Sequence, residues 1–172
     1  MSKNTIFVGA SVNEALAEAE RRAGKRWGFR RAYRRVSFDK AGFLGLEGKS
    51  NDADFCRSER ERLYRILAEP KTHGPLVIDG FCLFFKDDPL AVHSFLAKAK
   101  KFGVDIFAAA STLDEATILL FDVVFLGPSC AEDEPLFSVR GGLKQGEFLR
   151  LELRKHVFPG TKATVPGGRR IG

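Results

Sequence analysis

Between residues 21 and 35 the chain reads RRAGKRWGFRRAYRR, eight cations without one acid. Arg21, Arg22, Lys25, Arg26, Arg30, Arg31, Arg34 and Arg35 supply the charge, and Trp27, Phe29 and Tyr33 are interleaved among them. Guanidinium groups pair with phosphate oxygens in a planar fork, and exposed aromatic rings offer unpaired bases a face to stack on. The candidate nucleic-acid contacts are therefore Arg26, Arg30, Arg31, Arg34 and Arg35 for phosphates, with Trp27 or Tyr33 for bases. Arg169 and Arg170 stand side by side in a glycine-rich tail and would form an auxiliary arm. The competing use of the same stretch is aromatics in a core beneath a solvated basic face.

A second chemistry would run through carboxylates. Asp79 ends an apolar run, at the edge where open α/β sheets bind ligands. With Asp87, Asp88 and Asp122 it could gather around Mg²⁺, as in a metal-dependent nuclease. Each acid also has a structural use: Asp88 precedes Pro89 as a helix cap, Asp87 is exposed, and Asp79 fixes a loop. His73, His93 and His156 lack any i,i+4 pairing, and Cys56, Cys82 and Cys130 lack ligand spacing. There is no GxSxG elbow, no HExxH and no GxxxxGK[ST] phosphate cradle. No metal site and no cofactor is expected, and the chain leans away from catalysis.

These residues must be positioned by an α/β framework. Apolar runs at 5–8, 76–78, 104–109 and 123–126 are separated by segments of helical spacing. Continuous apolar strands alternating with helices are what a mostly parallel sheet covered on both faces requires. Ser11-x-x-Glu14 reads as a capping box before Val12, Ala15, Leu16, Ala19 and Ala23 at helical spacing, and Gly24 ends that helix. Residues 51–54 read as a polar hinge, 57–68 as a charged helix, and Asp88-Pro89 as the start of another. Thr112-x-x-Glu115 is a second capping box. Near the end, 137–140 and 147–157 read as an antiparallel ribbon, in which Leu149, Leu151 and Leu153 alternate with Arg150, Glu152 and Arg154. That ribbon is a candidate edge along which a homodimer could pair.

Two stretches resemble known families. SVNEALAEAERRAG followed by KAGFLGLEGK resembles the N-terminal domain of the Jag family of RNA-associated proteins, over residues 6–50. The resemblance implies a small β-α-β-β module with the GFLG turn as its hallmark, and it implies no catalysis. Jag proteins continue into a KH domain and a single-strand-binding domain, and neither follows residue 50. LVIDG, FGVDIFAAAS and FDVVFLG resemble, in order, strands of the back half of a RecA-like core over 75–158, without its Walker A segment. IDGFCLFF is also similar to the VDGYN start of NYN/PIN-like nucleases, which implies metal binding at Asp79.

The expected division is a module at 1–50, an α/β domain at 51–158 and a flexible basic tail at 159–172. The 172 residues, 44% of them hydrophobic, suffice for such a core. A net charge of +6 and a pI near 9.4 favour an acidic partner. No apolar run reaches membrane-spanning length, so no membrane is expected. Three isolated cysteines suit a reducing cytoplasm. The leading expectation is non-catalytic nucleic-acid binding or a regulatory accessory role. The alternatives are a nuclease built on Asp79 and an adaptor for an acidic protein partner.

Overall fold

Ile6, Phe7 and Val8 run together without a polar break, a pattern that suits a strand covered on both faces. In the computed structural model they belong to β1 (Asn4–Val8), every residue of which is buried. The structure describes residues 2–44, 52–69, 74–111, 115–128, 140, 142–153 and 169–171. After β1 come α1 (Val12–Ala23), the short strands β2 (Lys25–Arg26) and β3 (Phe29–Arg30), and β4 (Arg34–Ser37). Next are α2 (Lys40–Leu44), α3 (Asp52–Ala68), β5 (Leu76–Asp79), α4 (Phe81–Phe84) and α5 (Ala91–Lys101). The chain then forms β6 (Ile106–Ala110), α6 (Glu115–Ile118), β7 (Val123–Leu126), β8 (Phe148–Glu152) and β9 (Arg169–Ile171).

The fold is α/β, as the strand and helix pattern predicts. Among the described residues, seven strands form one sheet in the order β4-β5-β6-β1-β7-β8-β9. Neighbours from β4 to β7 run parallel, and β8 and β9 extend the β7 side antiparallel. Residues 1–50 and 51–158 feed the same sheet: β1 lies between β6 and β7, and β4 lies beyond β5.

The sheet has two unlike faces. On one, Ile78, Ile106, Ala108, Ile6 and Val124 pack with Leu63 and Leu67 of α3, Phe81 and Phe84 of α4, and Phe95 and Leu96 of α5. Phe81 meets Phe95 and Phe121 there, edge-on or tilted, as aromatic quadrupoles prefer. The other face meets α1 through Ala15, Leu16, Ala19 and Ala23. A helix that buries mainly alanine sits close, and the volume it lacks is supplied by the sheet. Phe7 stacks on Phe125 at 4.8 Å and on Phe107 at 6.0 Å. Only one half of the expected box at the start of α1 forms. Ser11 Oγ accepts from the Glu14 N–H at 3.2 Å, whereas Glu14 Oε1 is buried without a partner.

Several elements depart from the sequence pattern for identifiable reasons. The polar stretch expected as a hinge begins α3, because Asp52 and Asp54 in a first turn complement the helix dipole. The segment expected as a tight apolar turn opens as α2, since Asp39 accepts from the Gly42 N–H at 2.9 Å; its residues 45–49 lie outside the described residues. α5 starts at Ala91 with Leu90 as its cap, and Asp88 contributes a backbone carbonyl to Ala91 rather than a side-chain cap. β8 is not an edge, because β7 and β9 pair with both of its sides; it offers no open side to a second copy. Arg140, expected in a ribbon strand, is buried and donates Nε to the Gly127 carbonyl at 2.7 Å and Nη2 to that of Pro128 at 3.3 Å. Arg169–Ile171 of the expected flexible tail forms the outer strand. Thr112 and residues 154–157 lie outside the described residues.

Candidate nucleic-acid interface

Register determines what the α1 face presents. Arg35, Val77, Phe107, Thr5, Val123 and Glu152 form one row across the strands, and Ser37, Asp79, Ala109, Phe7, Phe125 and Arg150 form the next. Near the N-terminal ends of β1, β6 and β7 a cleft of about 450 Å³ opens on this face. Thr5, Phe107, Val123 and Phe125 are its floor, and among the described residues Lys3, Arg21, Arg22, Lys25, Arg31 and Arg150 stand around it with one acid, Asp105.

The cations differ in how far they are already engaged. Arg21 and Arg22 each reach Glu18 at 2.6 Å, and the Arg22 guanidinium lies 4.1 Å from the centre of the Phe125 ring. Burial works to raise the Glu18 pKa, but hydrogen bonds from Arg21 and Arg22 outweigh it and hold the carboxyl below its ordinary range. The same hydrogen bond pushes the Arg21 pKa up. Arg31 lies 3.8 Å from Asp105 and donates Nε to the Ala23 carbonyl, and Arg150 pairs with Glu152. Asp105 also accepts the Lys3 backbone N–H at 2.9 Å. The ammonium groups of Lys3 and Lys25 have no carboxylate partner among the described residues. A cleft with cations in excess over an apolar aromatic floor favours a ligand that is anionic and partly planar.

A hairpin rises from the rim of this cleft. Lys25 opposes Arg30 and Arg26 opposes Phe29, so Trp27 and Gly28 form the tip. Both have positive φ, 52° and 83°, the type I′ pattern whose twist suits a two-residue hairpin. Glycine takes this conformation freely; a tryptophan there is strained by about 1 kcal/mol. Trp27 is 90% exposed and Phe29 78% exposed. The hairpin is tied to the body by the Arg31 N–H, which donates to the Gly24 carbonyl at 2.7 Å.

The residues nominated from the sequence separate into three groups. Arg26, Trp27 and Arg30 are together on the exposed hairpin, and Arg31 is on the cleft wall. Tyr33 is exposed, with its ring beside Gly24. Arg34 and Arg35, consecutive on a strand, point to opposite faces. Arg34 donates Nη1 to the Ile66 carbonyl at 2.8 Å, and Arg35 lies 3.1 Å from Glu20 and 3.7 Å from Asp79. Arg34 is thereby taken up by the fold, whereas the Arg35 side chain stays 46% exposed beside its two acids. Arg169 is the register partner of Arg150, and Arg170 that of Leu149. Lys3, Arg21, Arg22, Lys25 and Arg150 were not nominated. For Arg150 the available signal was its alternation with Leu149 and Leu151, which places it on the face opposite theirs.

The carboxylates are not brought together. Asp79 lies 3.7 Å from both Arg35 and Lys40, Asp87 takes a two-pronged pair from Arg60 at 2.6 and 3.1 Å, and Asp122 binds Lys100 at 2.8 Å. Among the described residues no group of three or more His, Cys, Asp or Glu side chains is placed to hold a metal ion. The turn from β1 to α1 contains only Gly9, Ala10 and Ser11, where a phosphate cradle needs roughly eight residues. The Gly9 N–H is already given to the Ala110 carbonyl.

Compared with known proteins, the chain matches no protein-family model and no curated sequence. No helix of the described residues is long and apolar enough to cross a membrane.

Proposed function

We propose that this is a non-catalytic nucleic-acid-binding protein of regulatory or accessory type, and that its phosphate-contacting surface is the cleft at the N-terminal ends of β1, β6 and β7. The observation that carries the reading is the convergence of Lys3, Arg21, Arg22, Lys25, Arg31 and Arg150 around an apolar floor with one acid, Asp105. These cations come from before β1, from α1, from β2, from the segment before β4 and from β8. Among the described residues Arg21, Arg22, Arg31 and Arg150 have acids beside them, whereas Lys3 and Lys25 do not, and the excess of positive charge around the hollow is relieved when phosphates enter. Arg26 and Arg30 extend the basic surface outside the cleft, which suits several phosphates in a chain better than one small anion.

The nuclease alternative draws no support from Asp79, whose nearest charged neighbours are the cations Arg35 and Lys40. A reducing, cytoplasmic setting belongs to the same proposal. Cys56 fits it as a buried thiol whose pKa burial pushes up, away from reactivity.

Fluorescence anisotropy with labelled DNA and RNA at two salt concentrations tests the proposal. Binding should weaken as salt rises, and changing Lys3, Lys25, Arg31 and Arg150 together to alanine should abolish it. Retention of full affinity by that variant would overturn the assignment of the cleft. Absence of binding at low salt would overturn the function and favour an acidic protein partner.

A further inference from the structure

We propose that the β2–β3 hairpin holds an unpaired base against the indole of Trp27, so that the ligand is a single-stranded nucleic acid rather than a duplex. This rests on the reading of the cleft as the phosphate site and adds to it the form of the nucleic acid.

Stability does not account for Trp27. It occupies a left-handed position that asparagine, aspartate or glycine fills without strain, and at 90% exposure its ring buries almost nothing in return. Strain that the fold does not require marks a position kept for contact with something else. Phe29 repeats the pattern two residues on, at 78% exposure. The surroundings specify the chemistry of the partner. Lys25, Arg26 and Arg30 flank the two rings, the Arg26 guanidinium lies 5.6 Å from the Trp27 ring, and no acid occurs from Arg21 to Phe38. The partner is therefore anionic and offers flat apolar faces, as a nucleotide does.

Connection with the cleft selects the single strand. Lys25 is at once a wall of the cleft and the first residue of the hairpin, and Arg31, which follows the hairpin, is on the wall too. At the rise of a strand, Trp27 lies roughly 7 Å along the chain from Lys25. A strand whose phosphates enter the cleft carries its next bases past the tip. In a duplex the faces of internal bases are covered by their neighbours, and aromatic side chains reach them only after unstacking; a single strand presents them directly.

Trp27 is the only tryptophan of the chain, so its emission reports the contact without a label. The full chain is titrated with a short mixed-sequence single strand, the same sequence as a blunt duplex, inorganic polyphosphate, and vesicles containing an anionic phospholipid. The single strand should quench Trp27, while polyphosphate should compete for the cleft and leave the emission unchanged. Trp27→Ala should weaken single-strand binding roughly tenfold or more, leave the affinity for polyphosphate unaltered and leave the melting curve intact, whereas Trp27→Phe should keep most of the affinity. Single-strand binding with unchanged emission, equal affinity for the duplex, or an emission change with vesicles alone would overturn the stacking proposal and leave the cleft assignment standing. Failure of every nucleic acid and of polyphosphate to bind at low salt would overturn both.

Discussion

Trp27 and Gly28 take consecutive left-handed conformations, φ 52° and 83°, at the tip of a hairpin whose aromatic side chains stand in solvent. Replacing Trp27 by asparagine keeps the turn and removes the strain of a bulky residue there. Trp27→Asn should therefore stabilise the protein, by about 0.5–1 kcal/mol in chemical denaturation, while weakening nucleic-acid binding. Opposite signs on stability and binding would separate a residue kept for its ligand from one kept for the fold.

Lys25 and Arg34 belong to the same basic run but should behave differently. Lys25→Ala removes a cation without a carboxylate partner from the cleft rim. It should lower affinity and reduce the slope of log affinity against log salt by about 1, with stability unchanged. Arg34 donates Nη1 to the Ile66 carbonyl and lies 3.8 Å from Glu69, while its Nε and Nη2 are buried without a hydrogen-bond partner, which offsets part of that bond. Arg34→Ala should instead cost about 1–2 kcal/mol of stability and leave the salt slope as it was.

Acid should destabilise the fold through identifiable carboxylates. Hydrogen bonds from Arg60 hold the Asp87 carboxyl below its ordinary value, outweighing burial, which works the other way. Burial raises the Glu59 pKa, but bonds from Arg62 and the Asp39 N–H outweigh it and bring it below the ordinary value. A carboxyl whose folded pKa is depressed contributes stability above its unfolded pKa, about 4, and loses it as pH falls toward the folded value. Stability should thus be flat at neutral pH and decline below about pH 4.5. Asp87→Asn should lose about 1–2 kcal/mol at pH 7 and show a shallower acid decline, measured by thermal melting across pH.

The close seat of α1 depends on its small residues. Ala19 is completely buried against the sheet, and Ala19→Leu forces the helix outward or the side chain off its rotamer. A loss of about 1–3 kcal/mol is expected in denaturant titrations, together with weaker binding, because Arg21 and Arg22 on the same helix would move with it.

Four of the five parallel strands, β1, β5, β6 and β7, were legible because each is built on a largely apolar run, within 5–8, 76–78, 104–109 and 123–126, that needs cover on both faces; β4, Arg34–Ser37, carries no such run. The helix over Val12–Ala23 was legible from its alanine spacing and Ser11. Strand order was not, since nothing local in Ile6, Phe7 and Val8 says that their neighbours are Ala108 on one side and Val124 on the other. The site was half legible. The cations and aromatics of residues 21–35 were visible as a composition, and the hairpin residues Arg26, Trp27 and Arg30 were nominated from it. Their division among hairpin, cleft and opposite sheet faces depends on where β4 begins, and one residue of register decides whether Arg34 or Arg35 faces α1. Lys3 and Arg150 reach the cleft only through pairings of β1 with β7 and β7 with β8, which link residues far apart in the chain.

The central place of β1 has a consequence for biosynthesis. Asn4 pairs with Ile106 and Thr5 with Val123, so an early-made segment acquires its two neighbours only after more than a hundred further residues have been translated. At about 5–20 residues per second, that interval is several seconds or longer. Throughout it the apolar strand Asn4–Val8 has neither partner, and α1 has no completed surface to lie on. Until β6 and β7 emerge the pairs that hold β1 cannot form, and the long loops that must then close are expected to make its insertion a late step in folding.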